Sequence, residues 1–256
     1  MILTIDIGNS YITLGGYREQ QLVFISDMVT DIHRTADQYA VELLQIMHLN
    51  SVAEKQISGA IISSVVPELT GVIQKAVKKL TGASALAVGP GVKSGLQIQI
   101  DNPAQLGADL VACAVAALAQ FKPPIVICDL GTATVLSVID RDSKFSGVII
   151  AAGVGTTQDM FTRRTALLPH VNIERPKTLI GKNTVHSVQS GLVNGTAAMI
   201  DGLILRIERE LDCEARIVAT GRMTETIIPH CDRDIAICPN LLLDGLRMIY
   251  ERNARV

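Results

Sequence analysis

Two short segments in opposite halves of the chain place an aspartate and a glycine directly after a run of apolar residues. The first contains Asp6 and Gly8, and the second contains Asp129 and Gly131. In a tight turn of this kind, backbone amides can bind a phosphate while the carboxylate binds its cation. A single aspartate commonly only hydrogen-bonds to its own turn. The repetition instead favours a nucleotide site in which both turns contact the phosphates.

A third carboxylate, Asp109, lies in the early turns of a helix predicted from about Gln105 to Ala119. The turn before this helix lies between Pro103 and Gly107. A carboxylate in this position can remove the proton of a substrate hydroxyl during phosphoryl transfer. Taken alone, the position is more typical of an acidic residue that stabilises the positive end of the helix dipole. Both roles therefore stay open at this stage.

The hydrophobic pattern predicts the elements that must position these carboxylates. The segment Ile2–Leu14 aligns without gaps on the segment 123 residues later, and each is predicted to form a strand, a turn and a return strand. In each half a third strand and then helices follow in a similar order. Thr184 is the expected N-cap of a long helix in the second half. The repeat predicts an α/β chain of two similar domains, at residues 1–118 and 119–256.

The composition is compatible with two well-packed cores and excludes several classes of partner. Of the 256 residues, 48% are apolar and 19% are charged, and the net charge is -2, so no basic field is offered to nucleic acid. The first residues predict a strand rather than a signal peptide, and polar residues interrupt the long apolar helix, so no membrane association is predicted. Five cysteines without a Cys-x-x-Cys pair indicate free thiols in a reducing cytoplasm.

Several motifs, taken in order along the chain, resemble those of the type III pantothenate kinase family, which belongs to the actin-like ATPase superfamily. They are IDIGNS (Ile5–Ser10), ISSVVPELT (Ile62–Thr70), VKSGL with DNPAQLGAD (Val92–Asp109), DLGTAT (Asp129–Thr134), RTALLP (Arg164–Pro169), IGKNT with QSG (Ile180–Gly191) and NLLLDGLRMIYERN (Asn240–Asn253). The resemblance covers nearly the whole chain. The DNPAQLGAD and IGKNT segments are specific to the family, whereas the Asp-x-Gly turns are shared by the superfamily.

The resemblance implies a fold of two ribonuclease-H-like domains, each a mixed sheet flanked by helices. It also implies a homodimer whose substrate pockets draw on both subunits. The implied reaction is ATP-dependent phosphorylation of pantothenate to 4'-phosphopantothenate, the first step of coenzyme A biosynthesis. Mg²⁺ and a monovalent cation, K⁺ or NH₄⁺, are the implied cofactors beside ATP.

The resemblance further implies roles for individual residues. The ATP phosphates would be lined by Asp6, Ile7, Gly8, Asn9, Ser10, Tyr11, Ile12 and Thr13, with Thr132 on the other side. The pantothenate site would be lined by Ile100, Gly107, Ala108, Asp109, Leu110 and Thr184. Within these sets, Asp109 would be the catalytic base. Asp129 would bind the monovalent cation.

Four positions differ from the usual family pattern. Leu110 replaces an arginine, Ile100 replaces a tyrosine or phenylalanine, Leu167 replaces a lysine, and Arg222 replaces the second glycine of a pair. Leucine cannot donate the paired hydrogen bonds that a guanidinium gives to an anion. The sequence therefore leaves two alternatives beside a pantothenate kinase. One is a catalytically weakened or inactive paralogue that binds or regulates, and the other is a kinase for a different small hydroxyl compound.

Overall fold

The computed structural model describes residues 1–254, and the chain divides into two compact α/β units. Unit 1 comprises Met1–Leu96, Asp101–Ala116 and the C-terminal segment that begins at Leu241. Unit 2 comprises Gln97–Ile100 and Ala117–Asn240. The chain therefore passes between the units four times.

Each unit is built from strands that form one sheet and from helices that pack on it. The strands are β1 (Ile2–Ile7), β2 (Tyr11–Arg18), β3 (Gln21–Val29), β4 (Gly59–Ser64), β5 (Ala85–Ala87), β6 (Gln97–Ile98), β7 (Ile125–Leu130), β8 (Ala133–Ile139), β9 (Lys144–Ala152), β10 (Arg216–Thr220) and β11 (Ile235–Ile237). The α-helices are α1 (Ala36–Leu49), α2 (Pro67–Thr81), α3 (Ala108–Gln120), α4 (Val154–Arg164), α5 (Thr184–Leu211), α6 (Thr224–Ile227) and α7 (Leu241–Ala254). Short 3₁₀ turns lie at Glu54–Gln56, Pro103–Gln105 and Ile228–His230.

The sheet of unit 1 has five strands in the order β3-β2-β1-β4-β5. β1 pairs antiparallel with β2 and parallel with β4, so it lies at the centre of the sheet. Alternate residues of β1, namely Leu3, Ile5 and Ile7, are buried in one apolar core together with residues of α1 and α2 such as Leu43 and Ile73. The period of two in β1 therefore leaves Thr4 and Asp6 on the opposite face of the sheet.

Helix α7 packs on that opposite face of unit 1. It contacts β1, β2 and β4. The Tyr17 hydroxyl of β2 donates a hydrogen bond to Oδ1 of Asp244 at 2.7 Å, and the Arg247 guanidinium lies 5.7 Å from the centre of the Tyr17 ring. Helix α7 thus covers the second face of the sheet of unit 1.

The sheet of unit 2 has six strands in the order β11-β10-β7-β8-β9-β6. β7 pairs antiparallel with β8 and parallel with β10, which repeats the arrangement around β1. Val126 and Cys128 of β7 are buried with Val193 and Ile200 of the long helix α5. The predicted fold class is therefore confirmed, since the chain contains two mixed sheets flanked by helices.

The two hairpins differ by one residue in the length of their turns, which corrects the gapless alignment. Ile7 pairs with Ile12 in unit 1, whereas Leu130 pairs with Thr134 in unit 2. Four residues separate the first pair and three separate the second. Thr134 is therefore the counterpart of Ile12, and both side chains are buried. The offset matters because a shift of one residue exchanges the two faces of a strand.

The compact units also differ from the simple division of the chain at residue 118. Two segments account for most of the difference, because α7 lies in unit 1 and Gln97–Ile100 lies in unit 2. The apolar stripe of α7 is buried at Leu243 and Leu246, and Gln97 pairs with Lys144 of β9. Sequence order alone does not indicate on which sheet a terminal helix buries its apolar side.

The helices and the cysteines bear on the expected environment of the chain. Within residues 1–254, no helix combines the length and the apolar character that crossing a lipid bilayer requires. The five cysteines are all free thiols, and two of them, Cys113 and Cys128, are buried.

The contact between α7 and α3 yields a test of the fold. A Cβ atom added at Gly245 would lie 1.9 Å from the carbonyl oxygen of Ala112. We expect Gly245→Ala to lower the free energy of unfolding by about 1–3 kcal/mol, because the two helices must separate. Urea denaturation measures this change.

Gly71 in α2 is the matched control. It is exposed, and an added Cβ would meet no atom of the described residues within 4 Å. Gly71→Ala should raise the free energy of unfolding by about 0.5–1 kcal/mol, because alanine favours the helix. A Gly245→Ala variant as stable as the wild type would contradict the close contact of α3 and α7.

Candidate active site

The first hairpin of unit 1 contains eight of the nine residues predicted to line the ATP phosphates, and the ninth, Thr132, belongs to unit 2. Asp6 is the penultimate residue of β1 and pairs with Thr13 of β2. The Gly8 amide donates to the Tyr11 carbonyl at 3.0 Å, and the Thr30 hydroxyl donates to the Gly8 carbonyl at 2.7 Å. These bonds fix a short turn between the two strands.

The side chains of this turn do not all face the same environment. Asn9, Ser10 and Tyr11 are exposed. Ile7 and Ile12 are buried in the apolar core of unit 1. Of the eight predicted residues, these two can therefore offer a nucleotide only their backbone groups.

The turn of unit 2 holds its aspartate against glycine backbone. A Cβ added at Gly221, whose φ is 97°, would lie 2.6 Å from Oδ1 of Asp129. A Cβ added at Gly131 would lie 3.7 Å from the same oxygen. The Asp129 carboxylate therefore occupies a cradle that a larger residue at position 221 would fill. Arg222 is the next residue and is exposed.

The backbone around Thr132 is equally crowded. The Thr132 carbonyl accepts hydrogen bonds from the Gly153 amide at 3.2 Å and from the Thr156 hydroxyl at 2.7 Å. A Cβ at Gly153 would lie 2.4 Å from the carbonyl oxygens of Gly131 and Thr132. The start of α4 thus supports the turn from behind, while the Thr132 side chain is exposed.

Asp109 lies at the start of α3, in the first turn of the helix. A Cβ at Gly107 would lie 2.2 Å from Oδ1 of Asp109, so the carboxylate rests directly on the backbone of the preceding turn. Oδ1 is buried and has no hydrogen-bond partner among residues 1–254. Burial raises the pKa of Asp109, and hydrogen bonds from the backbone amides of Leu110 and Asp109 itself oppose this rise.

The environment of Asp109 suits a general base better than a helix-dipole partner on the surface. A carboxylate with a raised pKa is a stronger base than an ordinary aspartate. Its buried oxygen without a partner in the described chain is unfavourable for stability, and such groups are concentrated at functional sites.

The other predicted substrate residues are divided between the two units. Ala108 and Leu110 flank Asp109 in α3 and are half-buried. Ile100 and Thr184 belong to unit 2. Thr184 is the first residue of α5, but the N-cap is Asn183, whose side chain accepts a hydrogen bond from the His186 amide at 2.9 Å. The expectation that Thr184 caps the helix is therefore wrong, because the longer amide side chain of the preceding residue takes that place.

Thr184 borders a cavity of about 510 Å³ in unit 2, which the sequence does not predict. The end of β9, the helix α4 and the first half of α5 form its walls. Apolar side chains such as Phe161, Leu168 and Leu192 line most of it, and the hydroxyls of Thr184 and Thr196 lie among them. Such a lining suits a small molecule with both apolar and hydrogen-bonding groups.

Sequence reasoning also overlooked two hydroxyl residues beside the aspartates. Ser63 of β4 is in register with Asp6, and Thr220 of β10 is in register with Asp129. Each follows a run of apolar residues, but the pairing joins strands far apart in the chain. A hydroxyl residue at the end of an apolar strand in each half was the available signal.

Two mixed sheets, each with an Asp-x-Gly turn after its central strand, define an α/β fold of the actin-like ATPase and sugar kinase class. A solved structure of this class is component A of (R)-2-hydroxyglutaryl-CoA dehydratase from Acidaminococcus fermentans. It superposes with a TM-score of 0.58, at 11% sequence identity, over 100% of this chain and 99% of that chain. This likeness shows the fold only.

The family follows from sequence comparison. A sequence model of the type III pantothenate kinase family matches residues 2–206. The type III pantothenate kinase of Moorella thermoacetica is 38% identical over 253 residues, which is 99% of this chain and 100% of the relative. That of Exiguobacterium sp. is 38% identical over 255 residues, which is 100% of both chains. The chain belongs to the type III pantothenate kinase family, and the resemblance is confirmed.

The raised pKa of Asp109 predicts a stability change with pH. Between the ordinary aspartate pKa and the raised native pKa, the native state holds a proton that the unfolded chain has released. This carboxylate therefore lowers stability as pH rises through that window, and the penalty stays constant above it. We expect Asp109→Asn to raise Tm at neutral pH by about 2–4 °C, as about 1 kcal/mol does in a chain of this size.

Calorimetry of Asp109→Asn across a pH series tests the sign of this effect. The gain in Tm should shrink as pH falls below the native pKa of Asp109, because the wild-type group is then also neutral. Asp101→Asn, at an exposed site just before α3, is the control and should leave Tm unchanged. A lower Tm for Asp109→Asn at neutral pH would contradict an unfavourable buried charge.

Proposed function

We propose that this chain phosphorylates the primary hydroxyl of pantothenate, and that Asp109 is the base that removes the hydroxyl proton. The overall activity is that of its family, ATP-dependent phosphorylation of pantothenate in coenzyme A biosynthesis. The buried carboxylate of Asp109, with one oxygen that lacks a partner in the described chain, is the observation that supports its role. The reacting hydroxyl is the missing partner.

The proton and the bonds formed and broken balance in this reaction. Asp109 takes the proton as the substrate oxygen attacks the γ-phosphorus of ATP, and the bond from that phosphorus to the β,γ-bridging oxygen breaks in line. ADP leaves with the bond's electron pair. Most of the acceleration in such a transfer comes from positioning and charge neutralisation.

The phosphates of ATP would lie at the two turns, along Asp6–Thr13 and at Thr132. The side chains of Asn9, Ser10 and Thr132 are exposed, which supports this placement because a ligand can reach them from solvent. The presence of one such turn in each unit supports it as well, since the duplication is what favours a nucleotide over a turn that serves only itself.

The Asp129 cradle fits a cation that also contacts the nucleotide. Any side chain at Gly221 would press on Oδ1 of this carboxylate, and we propose the carboxylate as the ligand of the monovalent cation, K⁺ or NH₄⁺. Within residues 1–254, no group of three or more His, Cys, Asp or Glu side chains is arranged to hold a metal. We propose that Mg²⁺ is held by one or two carboxylates and the substrate phosphates, as is usual for that ion. Both ions, when bound, neutralise phosphate charge.

Replacement of the base tests the proposed reaction. We expect Asp109→Asn to lower kcat for ADP release with pantothenate and Mg-ATP by about 10²–10⁴-fold, since the amide cannot accept the proton. The Kd for ATP should change little, because Asp109 lies outside the turns. A coupled assay for ADP and calorimetry of ATP binding give the two values.

Comparison of Asp109→Asn with the wild type and with Leu110→Arg separates the alternatives. Turnover unchanged in Asp109→Asn would exclude this residue as the base. If the wild type is inactive but Leu110→Arg phosphorylates pantothenate, the chain is a weakened paralogue that has lost an anion-binding guanidinium. If ATP binds to both and neither phosphorylates pantothenate, the acceptor is another hydroxyl compound.

We also propose that the enzyme is a homodimer in the cytoplasm, with unit 2 at the interface. Unit 2 has five large branched apolar side chains between 43% and 88% exposed, three of them next in sequence to residues of the cavity wall. They are Ile150, Leu167, Leu179, Ile180 and Val185. Contact with a second copy would remove this surface from water. The five free thiols suit a reducing compartment.

A charged substitution tests the dimer. Ile180→Asp should raise the dimer dissociation constant by at least about tenfold, because association would bury a carboxylate. Sedimentation velocity over a concentration series measures the constant. Ile32→Asp, at an exposed apolar site in unit 1, is the control and should sediment as the wild type does. Dimers of equal strength in both variants would place the interface elsewhere.

A further inference from the structure

A serine hydroxyl lies beside the first Asp-x-Gly aspartate on the neighbouring parallel strand. Asp6 of β1 and Ser63 of β4 are paired in register. The neighbours of these two residues, Ile5 and Ile7 in β1 and Ile62 in β4, point into the apolar core with α1 and α2. Because side chains alternate along a strand, Asp6 and Ser63 share the opposite face of the sheet.

The second unit repeats this arrangement. Asp129 of β7 and Thr220 of β10 are paired in register, again in a parallel pair. Cys128 and Ala219 belong to the core with α5, so the aspartate and the threonine share the other face. The recurrence does not follow from the repeated hairpin, since β4 and β10 lie outside it. A hydroxyl beside the aspartate is therefore a feature of both units.

The Ser63 hydroxyl is buried without a hydrogen bond to the described residues, and the residue as a whole is completely buried. The adjacent Ser64 provides the contrast, because its hydroxyl donates to the Val66 carbonyl at 3.0 Å and accepts from the Val66 amide at 3.1 Å. A buried hydroxyl without a partner is unfavourable, and an alanine at this position would avoid the cost. The partner of Ser63 is therefore expected in the ligand-bound state.

The position of Ser63 indicates which ligand, when bound, would give its hydroxyl a hydrogen-bond partner. Ser63 and Asp6 lie at the carboxyl ends of two adjacent parallel strands, where α/β sheets bind their ligands. Adjacent strands are about 4.8 Å apart, so one change of rotamer brings the hydroxyl within hydrogen-bond reach of the carboxylate. The turn that starts after Asp6 is the proposed place of the ATP phosphates.

We propose that Ser63 is a positioning residue for nucleotide binding. When Mg-ATP binds at the first turn, Ser63 donates its proton in a hydrogen bond to one carboxylate oxygen of Asp6. The other oxygen is then held toward the phosphates and their cation. This proposal rests on the proposed function, because it takes the turn after Asp6 to be the phosphate site.

The matched variants Ser63→Ala and Ser64→Ala test the proposal by nucleotide binding and by thermal stability. Calorimetry should give a Kd for Mg-ATP about tenfold higher in Ser63→Ala, the effect of one lost hydrogen bond to a charged group. Without ligand, the Tm of Ser63→Ala should equal or exceed that of the wild type. Ser64→Ala should show the reverse, with a Tm lower by about 2–4 °C and an unchanged Kd. Ser63→Thr, which retains the hydroxyl, should bind Mg-ATP more tightly than Ser63→Ala.

Two results would overturn the proposal. A Kd for Mg-ATP that is the same in Ser63→Ala and the wild type would remove the link to the nucleotide. A ligand-free Tm that falls as far in Ser63→Ala as in Ser64→Ala would show a structural role instead. If the wild type binds no Mg-ATP, the proposed function fails as well, whereas equal binding by wild type and Ser63→Ala overturns only the role of Ser63.

Discussion

Two of the carboxylates, those of Asp109 and Asp129, rest directly against glycine backbone. Oδ1 of Asp109 lies where a side chain at Gly107 would begin, and Oδ1 of Asp129 lies where one at Gly221 would begin. A larger residue at either position would displace the carboxylate or the turn below it. The position of both carboxylates thus depends on the absence of a side chain at the neighbouring glycine. Position 221 favours glycine for a second reason, because its φ of 97° is unfavourable for other residues. Packing elsewhere serves to hold these turns in place.

The local part of this architecture could be predicted from the sequence. Strand, turn and return strand follow from alternation and turn residues, so both hairpins and the α/β class were predictable. The gapless alignment nevertheless placed the return strands one residue out of register. Turn length is fixed by backbone hydrogen bonds that differ between the two hairpins. In unit 2 the Gly131 amide donates to the Ala133 carbonyl, two residues later. In unit 1 the Gly8 amide donates to the Tyr11 carbonyl, three residues later. The apolar pattern of β-branched residues is too uniform to reveal a difference of one residue.

The parts that sequence could not provide depend on contacts between distant segments. Helix α7 packs on β1 although nearly the whole chain separates them. The sequence does not reveal this contact, because an apolar stripe on a helix does not indicate which sheet it will cover. The same limit applies to Ser63 and Thr220, which come beside the aspartates only through parallel pairing. Asp109 is a different case. Its position at a helix start was predictable, but its burial, which distinguishes a base from a dipole partner, is a property of the packed unit.

The burial of Asp109 also bears on the departure from the family pattern at position 110. An arginine at this position would favour the ionised carboxylate and lower the pKa of Asp109. Leu110 is half-buried and brings no charge, so burial remains the largest influence on this pKa. The substitution therefore strengthens the proposed base while it removes a donor for an anionic substrate group. With the roles proposed for these residues, the change at position 110 would affect substrate binding rather than proton transfer, so weaker binding of pantothenate would be compatible with an intact chemical step.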